Sequence, residues 1–147
     1  MDVDAELHAA CTPAVLFGLV DDLALYPRWV DLVHRADPLG ADAGAPTWAV
    51  ELRARLGPLA RSKRLRMERT VHDTDNWVAV FERRELDGRR HSPWVLRAEV
   101  HPAGAEATLR MHLHYGGGLW TGGVLERALA DQIRSGSERL AALAQAL

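Results

Sequence analysis

His114 to Gly123, HYGGGLWTGG, places five glycines in ten residues immediately before the most regular helical pattern of the chain. As a phosphate-cradling loop the stretch fails on detail. G-x-G-x-x-G begun at Gly116 needs glycine where Thr121 stands, and a Walker loop begun at Gly117 reaches Gly122 but finds Gly123 in place of lysine. Both loops also require a parallel βαβ setting, which the preceding residues do not offer. What remains is a bend. Glycines 116 to 118 have the backbone freedom to let a strand leave its sheet, and Gly122-Gly123 admit a helix start close to neighbouring backbone. Leu119 and Trp120, held between the two clusters, are candidates to close one end of whatever strand and helix enclose.

Downstream of the bend, Leu125, Leu129, Gln132 or Ile133, Gly136, Leu140, Leu143 and Leu147 recur at helical spacing. A helix from about Gly122 to the C-terminus is roughly 40 Å long, enough to cross a curved sheet. Gly136 marks a thin place in it, where the sheet or a ligand can approach closely.

Upstream, the period is two. Trp48, Val50, Leu52, Ala54 and Leu56 share one face, and Gly57-Pro58 turns the chain. Leu65, Met67, Arg69 and Val71 then alternate against Arg64, Arg66, Glu68 and Thr70. A strand over about 77–86 ends at Asp87-Gly88, a strong short hairpin signal. Trp94, Leu96, Ala98 and Val100 lie on one face of the next strand, and Leu109, Met111, Leu113 and Tyr115 on one face of the last. These consecutive hairpins predict a one-faced antiparallel sheet.

The opening residues 2–11 alternate as a half-buried strand. Thr12 and Pro13 give an N-cap and first-turn proline for a short helix to about Val20. A second helical piece, about Leu23 to Trp29, is interrupted by Pro27, and residues 40–46 read as a small-residue loop. One strand, two short helices, a run of antiparallel strands and a long C-terminal helix make an α+β plan.

The chain of 147 residues suits one domain spanning 1–147, with 48% hydrophobic and 26% charged residues. A net charge of -2 argues against a protein whose main work is coating nucleic acid or anionic membrane. A single cysteine, Cys11, cannot form an internal disulfide and reads as a small buried hydrophobe. With no signal-peptide pattern and no uninterrupted run of about 18 apolar residues, a cytoplasmic protein without a membrane span is expected.

CTPAVLFGLVDD after the first strand, YPRW after the first helix, the hairpins and the GGGLW junction together resemble the helix-grip fold of the START-like (SRPBCC) superfamily, which includes polyketide cyclase/dehydrase and lipid transport proteins. The resemblance covers nearly the whole chain. It implies a curved sheet wrapped around the long C-terminal helix, with an apolar cavity between them. The inner face then carries Trp48, Leu65, Met67, Phe81, Trp94, Met111 and Tyr115, wide and adaptable side chains suited to a hydrophobic or polycyclic small molecule. With Arg69 and Trp120 they form the expected ligand-binding set.

Arg69 is inward by alternation, where an unpaired charge is expensive. It needs an acidic partner, with Glu82 or Glu85 as candidates, a ligand anion or carbonyl, or a position near the open end. The resemblance implies a second role, because aromatase/cyclase members keep a cavity arginine that can polarise a polyketide carbonyl; Arg69 is the one catalytic candidate if the protein is an enzyme. The family's aromatic-Pro pair is matched by Tyr26-Pro27, but the tyrosine that follows it in those enzymes falls at about Val33 here, which favours binding without turnover.

His112-x-His114 faces away from the cavity and lacks the third ligand zinc usually takes, so no metal is expected; no cofactor motif is present either. Arg53, Arg55, Arg61, Lys63, Arg64, Arg66 and Arg69 form a basic run whose members mostly alternate onto the outer face. An RNA- or protein-contacting role for that strand is a minor alternative, since the interleaved exposed aromatics of a single-strand platform are missing. No G-x-S-x-G is found, and Ser135-Gly136-Ser137 lies inside the predicted helix.

Overall fold

A computed structural model describes residues 2–42, 44–56, 58–116 and 124–146. Along the chain it runs β1 (Asp2–Ala9), α1 (Pro13–Val20), the 3-10 helix η1 (Leu23–Arg28), β2 (Val33–Asp42), β3 (Ala45–Leu56), β4 (Leu59–Asp73), β5 (Val78–Arg83), β6 (Trp94–Ala103), β7 (Glu106–Tyr115) and α2 (Val124–Gln145). The strands form one antiparallel sheet in the order β1-β7-β6-β5-β4-β3-β2. This is the expected α+β architecture, one curved sheet with a long C-terminal helix.

The first short helix starts where the sequence places its cap, and the second has a cap of its own. Thr12 Oγ1 accepts from the Val15 N–H at 3.3 Å, and Asp22 Oδ1 from the Ala24 N–H at 2.9 Å. Tyr26 ties the two together, its hydroxyl donating to the Val20 carbonyl at 2.8 Å. Because β1 and β2 are opposite edges of the sheet, α1 and η1 carry the chain from one edge to the other.

Three local readings are corrected. First, β2 was not expected: residues 40–46 read as a loop, yet β2 continues to Asp42 and β3 begins at Ala45. Its alternation is broken by register shifts between Val33 and Arg35 and between Pro38 and Gly40. As an edge strand it also tolerates Pro38, which a central strand would not. Second, Asp87-Gly88 does not make a two-residue hairpin; residues 84–93 lie outside any strand, although Gly88 takes the positive φ of +71° that a turn there demands. Third, Val71 does not share the inner face with Arg69. A bulge between them shifts the register, so Arg69 pairs with Phe81 but Val71 with Val80, and Val71 is exposed.

α2 is about 33 Å long. Leu140 and Ala144 are buried, and Leu143 packs on the core. Its middle is fastened to the stretch after η1: Gln132 Oε1 accepts from the Leu32 N–H, and Arg139 pairs with Asp31. Gly136 is buried between these anchors, so the thin place in the helix admits neither sheet nor ligand but the backbone carbonyl of Trp29.

Candidate functional site

The concave face of the sheet encloses an apolar cavity of about 100 Å³. One wall comes from η1 and the residues after it: Leu23, Tyr26, Trp29, Val30, Leu32. The sheet supplies Val50 and Leu52 of β3, Leu65 and Met67 of β4, Trp94 and Leu96 of β6, and Met111 and Leu113 of β7. Period-two alternation explains this selection, since each pair is separated by one outward residue. The register agrees, for Val50 pairs with Leu65, and Leu96 with Leu113.

The expected site residues divide. Leu65, Met67, Trp94 and Met111 lie on the cavity wall. Trp48, Phe81 and Tyr115 point inward but sit in the packed core rather than on the wall. Trp48 and Phe81 meet edge to face at 5.6 Å, and Tyr115 is tilted against Trp94 at 5.2 Å. Alternation alone could not separate wall from core, because both belong to the inner face. Trp120, with Leu119, lies outside the described residues.

Arg69 does not make the ion pair considered for it. Glu82 pairs with Arg84, and Glu85 with Arg83. Instead Arg69 Nη1 donates to the Asp21 carbonyl at 3.0 Å. Asp21 is the C-cap of α1, where carbonyls lack helical partners and attract cations. The arginine therefore fastens the end of α1 to the sheet and is not among the residues lining the cavity. Beyond the bulge His72 takes up the inner position, stacked on Phe17 at 5.6 Å and 2.9 Å from Asp21 Oδ2.

Polar atoms are scarce at the wall. Tyr26 is its one ionisable side chain among the described residues. Burial, followed by the charges of Asp21 and Asp22, raises that phenol above the ordinary tyrosine range, so it remains protonated and donates to Val20. Val33 also lines the cavity. The indole N–H groups of Trp29 and Trp94 are buried and have no acceptor among the described residues.

Lys63 and Arg83 were missed as inward groups. Lys63 pairs with Leu52, and Arg83 with Met67, each sharing a face with a wall residue. Arg61 likewise pairs with buried Ala54. Strict alternation back from Leu65 would have found Lys63 and Arg61; the density of charge around them hid the pattern. The outer face of this region carries both signs, with Arg53 on Glu51 at 3.2 Å and Arg84 on Glu68 at 3.4 Å.

His112 and His114 are engaged by carboxylates. His112 Nδ1 is 2.7 Å from Asp4, its Nε2 is 3.0 Å from Asp2, and His114 shares Asp2 at 3.0 Å. Among the described residues no group of three or more His, Cys, Asp or Glu is arranged to hold a metal, and no helix is long and apolar enough to cross a membrane. Cys11 is partly buried, and desolvation raises its thiol rather than activating it.

Residues 1–145 match the family model described as polyketide cyclase/dehydrase and lipid transport. No curated protein matches the chain in sequence. Solved structures share the fold at low identity. TTHA0849 from Thermus thermophilus is 19% identical, with a TM-score of 0.71 over 99% of this chain and 98% of that one. A START superfamily protein from Mycobacterium smegmatis is 14% identical, with a TM-score of 0.70 over 99% and 97%. The Zhui aromatase/cyclase from a Streptomyces species is 12% identical, with a TM-score of 0.64 over 99% and 93%.

Proposed function

The chain belongs to the polyketide cyclase/dehydrase and lipid transport family, and on that premise we propose that it binds a hydrophobic small molecule in the cavity between its sheet and the η1 segment. The observation that carries this reading is the wall itself, an inward-facing space lined by aliphatic, aromatic and methionine side chains. A void of this kind forfeits packing contacts that a filled core would make, and an apolar ligand restores them. Its volume of about 100 Å³ suits one aromatic ring or a short chain; an engineered cavity of about 150 Å³ takes benzene. A ligand larger than one ring, para-butylbenzamide or a polycyclic molecule, requires Met67 and Met111 to repack, which their unbranched side chains permit.

Binding has more support than turnover. Tyr26, the wall's ionisable group, has its hydroxyl directed to Val20, and Arg69 is held by Asp21. The direct test is native mass spectrometry of freshly purified protein. A co-purifying small molecule released on denaturation is the expected result. Absence of any such mass, together with failure of para-butylbenzamide to bind in calorimetry, overturns the reading.

A further inference from the structure

The inner row of β4 continues past the cavity to a charged group. Lys63 stands two residues before Leu65 and opposite Leu52, both of which line the cavity. Its Nζ is 5.8 Å from the centre of the Trp94 ring, another wall residue. Among the described residues, Lys63 has neither an ion-pair partner nor a hydrogen bond. The neighbouring cation is already compensated. Arg83 Nε donates to Glu85 at 3.0 Å, and its Nη1 reaches the Ser92 carbonyl and hydroxyl at 3.3 and 3.2 Å.

An ammonium in this position, partly desolvated and with no counter-charge among the described residues, costs free energy. Burial, and then the Arg83 charge, accordingly hold Lys63 below the ordinary lysine range. The Trp94 face offsets part of that cost, since an indole attracts a cation. A carboxylate brought by the ligand would offset more, and would do so where the apolar wall ends.

We propose that Lys63 is the polar end of the cavity and that the ligand is a hydrophobic carboxylic acid, its aryl or acyl body against Leu65, Met67 and Trp94 and its carboxylate on the Lys63 ammonium. This rests on the cavity being a binding site. It adds a ligand class: an amphipathic anion with one charged end, in preference to a neutral hydrocarbon or amide of equal size.

The test is calorimetric titration of para-butylbenzoate and its near-isostere para-butylbenzamide at neutral pH. The wild-type protein is expected to bind the acid about tenfold more tightly, the ratio a charge-assisted hydrogen bond supplies. Lys63→Met is expected to hold the amide within about twofold of wild type and to lose the preference, while Lys63→Glu reverses it. Equal wild-type affinities, or a preference that survives Lys63→Met, overturn the assignment and leave the cavity reading intact. Failure of both compounds to bind wild-type protein overturns the assignment, and where no small molecule co-purifies either it overturns the cavity reading as well. If Lys63→Met does not fold, Lys63→Gln takes its place, with the same outcomes deciding.

Discussion

A β-carbon added to Gly136 would stand 2.2 Å from the carbonyl oxygen of Trp29. Elsewhere in a helix, replacing glycine by alanine stabilises by about 1 kcal/mol. Here the contact is with backbone, which cannot rotate away, and Trp29 is 1% exposed. Gly136→Ala is therefore expected to destabilise by a net of about 1–3 kcal/mol, measured as a lowered denaturation midpoint. A stabilised variant would mean that α2 does not approach η1 this closely.

The contact of Arg69 with Asp21 separates a structural role from a ligand role. Arg69→Met removes a charged donor from a carbonyl at the end of α1, and a loss of about 1–2 kcal/mol is expected. Affinity for para-butylbenzamide should not change, because the arginine is off the wall. The opposite pattern, full stability with lost binding or lost conversion of a polyketide substrate, would return Arg69 to the role that the resemblance to aromatase/cyclase members implied.

The elements that were legible in the sequence are those whose pattern survives without tertiary help. The rows Trp48 to Ala54 and Leu109 to Tyr115 alternate strictly, and the cap at Thr12 is local chemistry. β2 was illegible because its bulges and Pro38 erase the period. Val71 was misplaced because a bulge is an insertion in pairing, invisible until the partner strand is known. For the site, sequence supplied the inner face but not the division between wall and core: Met111 borders the cavity while Tyr115, four residues along the same row, packs against Trp94. The η1 contribution was missed because Leu23, Val30 and Leu32 follow no single period.

Met111 offers a way to fill the cavity without disturbing its walls elsewhere. Its cross-strand neighbours are Ala5 and Ala98, which leave lateral room for a larger side chain. Met111→Trp is expected to occupy the space that a ligand ring would take. Affinity for para-butylbenzamide should fall by at least about tenfold, the equivalent of about 1.4 kcal/mol, with circular dichroism unchanged. Undiminished binding would place the ligand outside this cavity.

On the outer face, His112 lies between Asp4 and Asp2, and His114 also reaches Asp2. The hydrogen bond to Asp4, opposed by slight desolvation and reinforced by Asp2, raises His112 above the ordinary histidine value of 6.5. A raised folded-state value favours folding fully below the unfolded value, and that contribution is lost as pH rises through the folded one. Asp2 has the opposite sign. Its carboxyl is held below the ordinary range, chiefly by His114, so its contribution is present above that range and is lost as pH falls. Arg97 faces His112 across β6, and Arg110 sits beside it on β7 paired with Glu6. Wild-type melting temperature, taken relative to His112→Gln, should therefore decline between about pH 5 and pH 8. The difference should shrink in high salt, as expected for exposed charges. Parallel pH profiles for the two proteins would show that the aspartates do not engage the protonated ring.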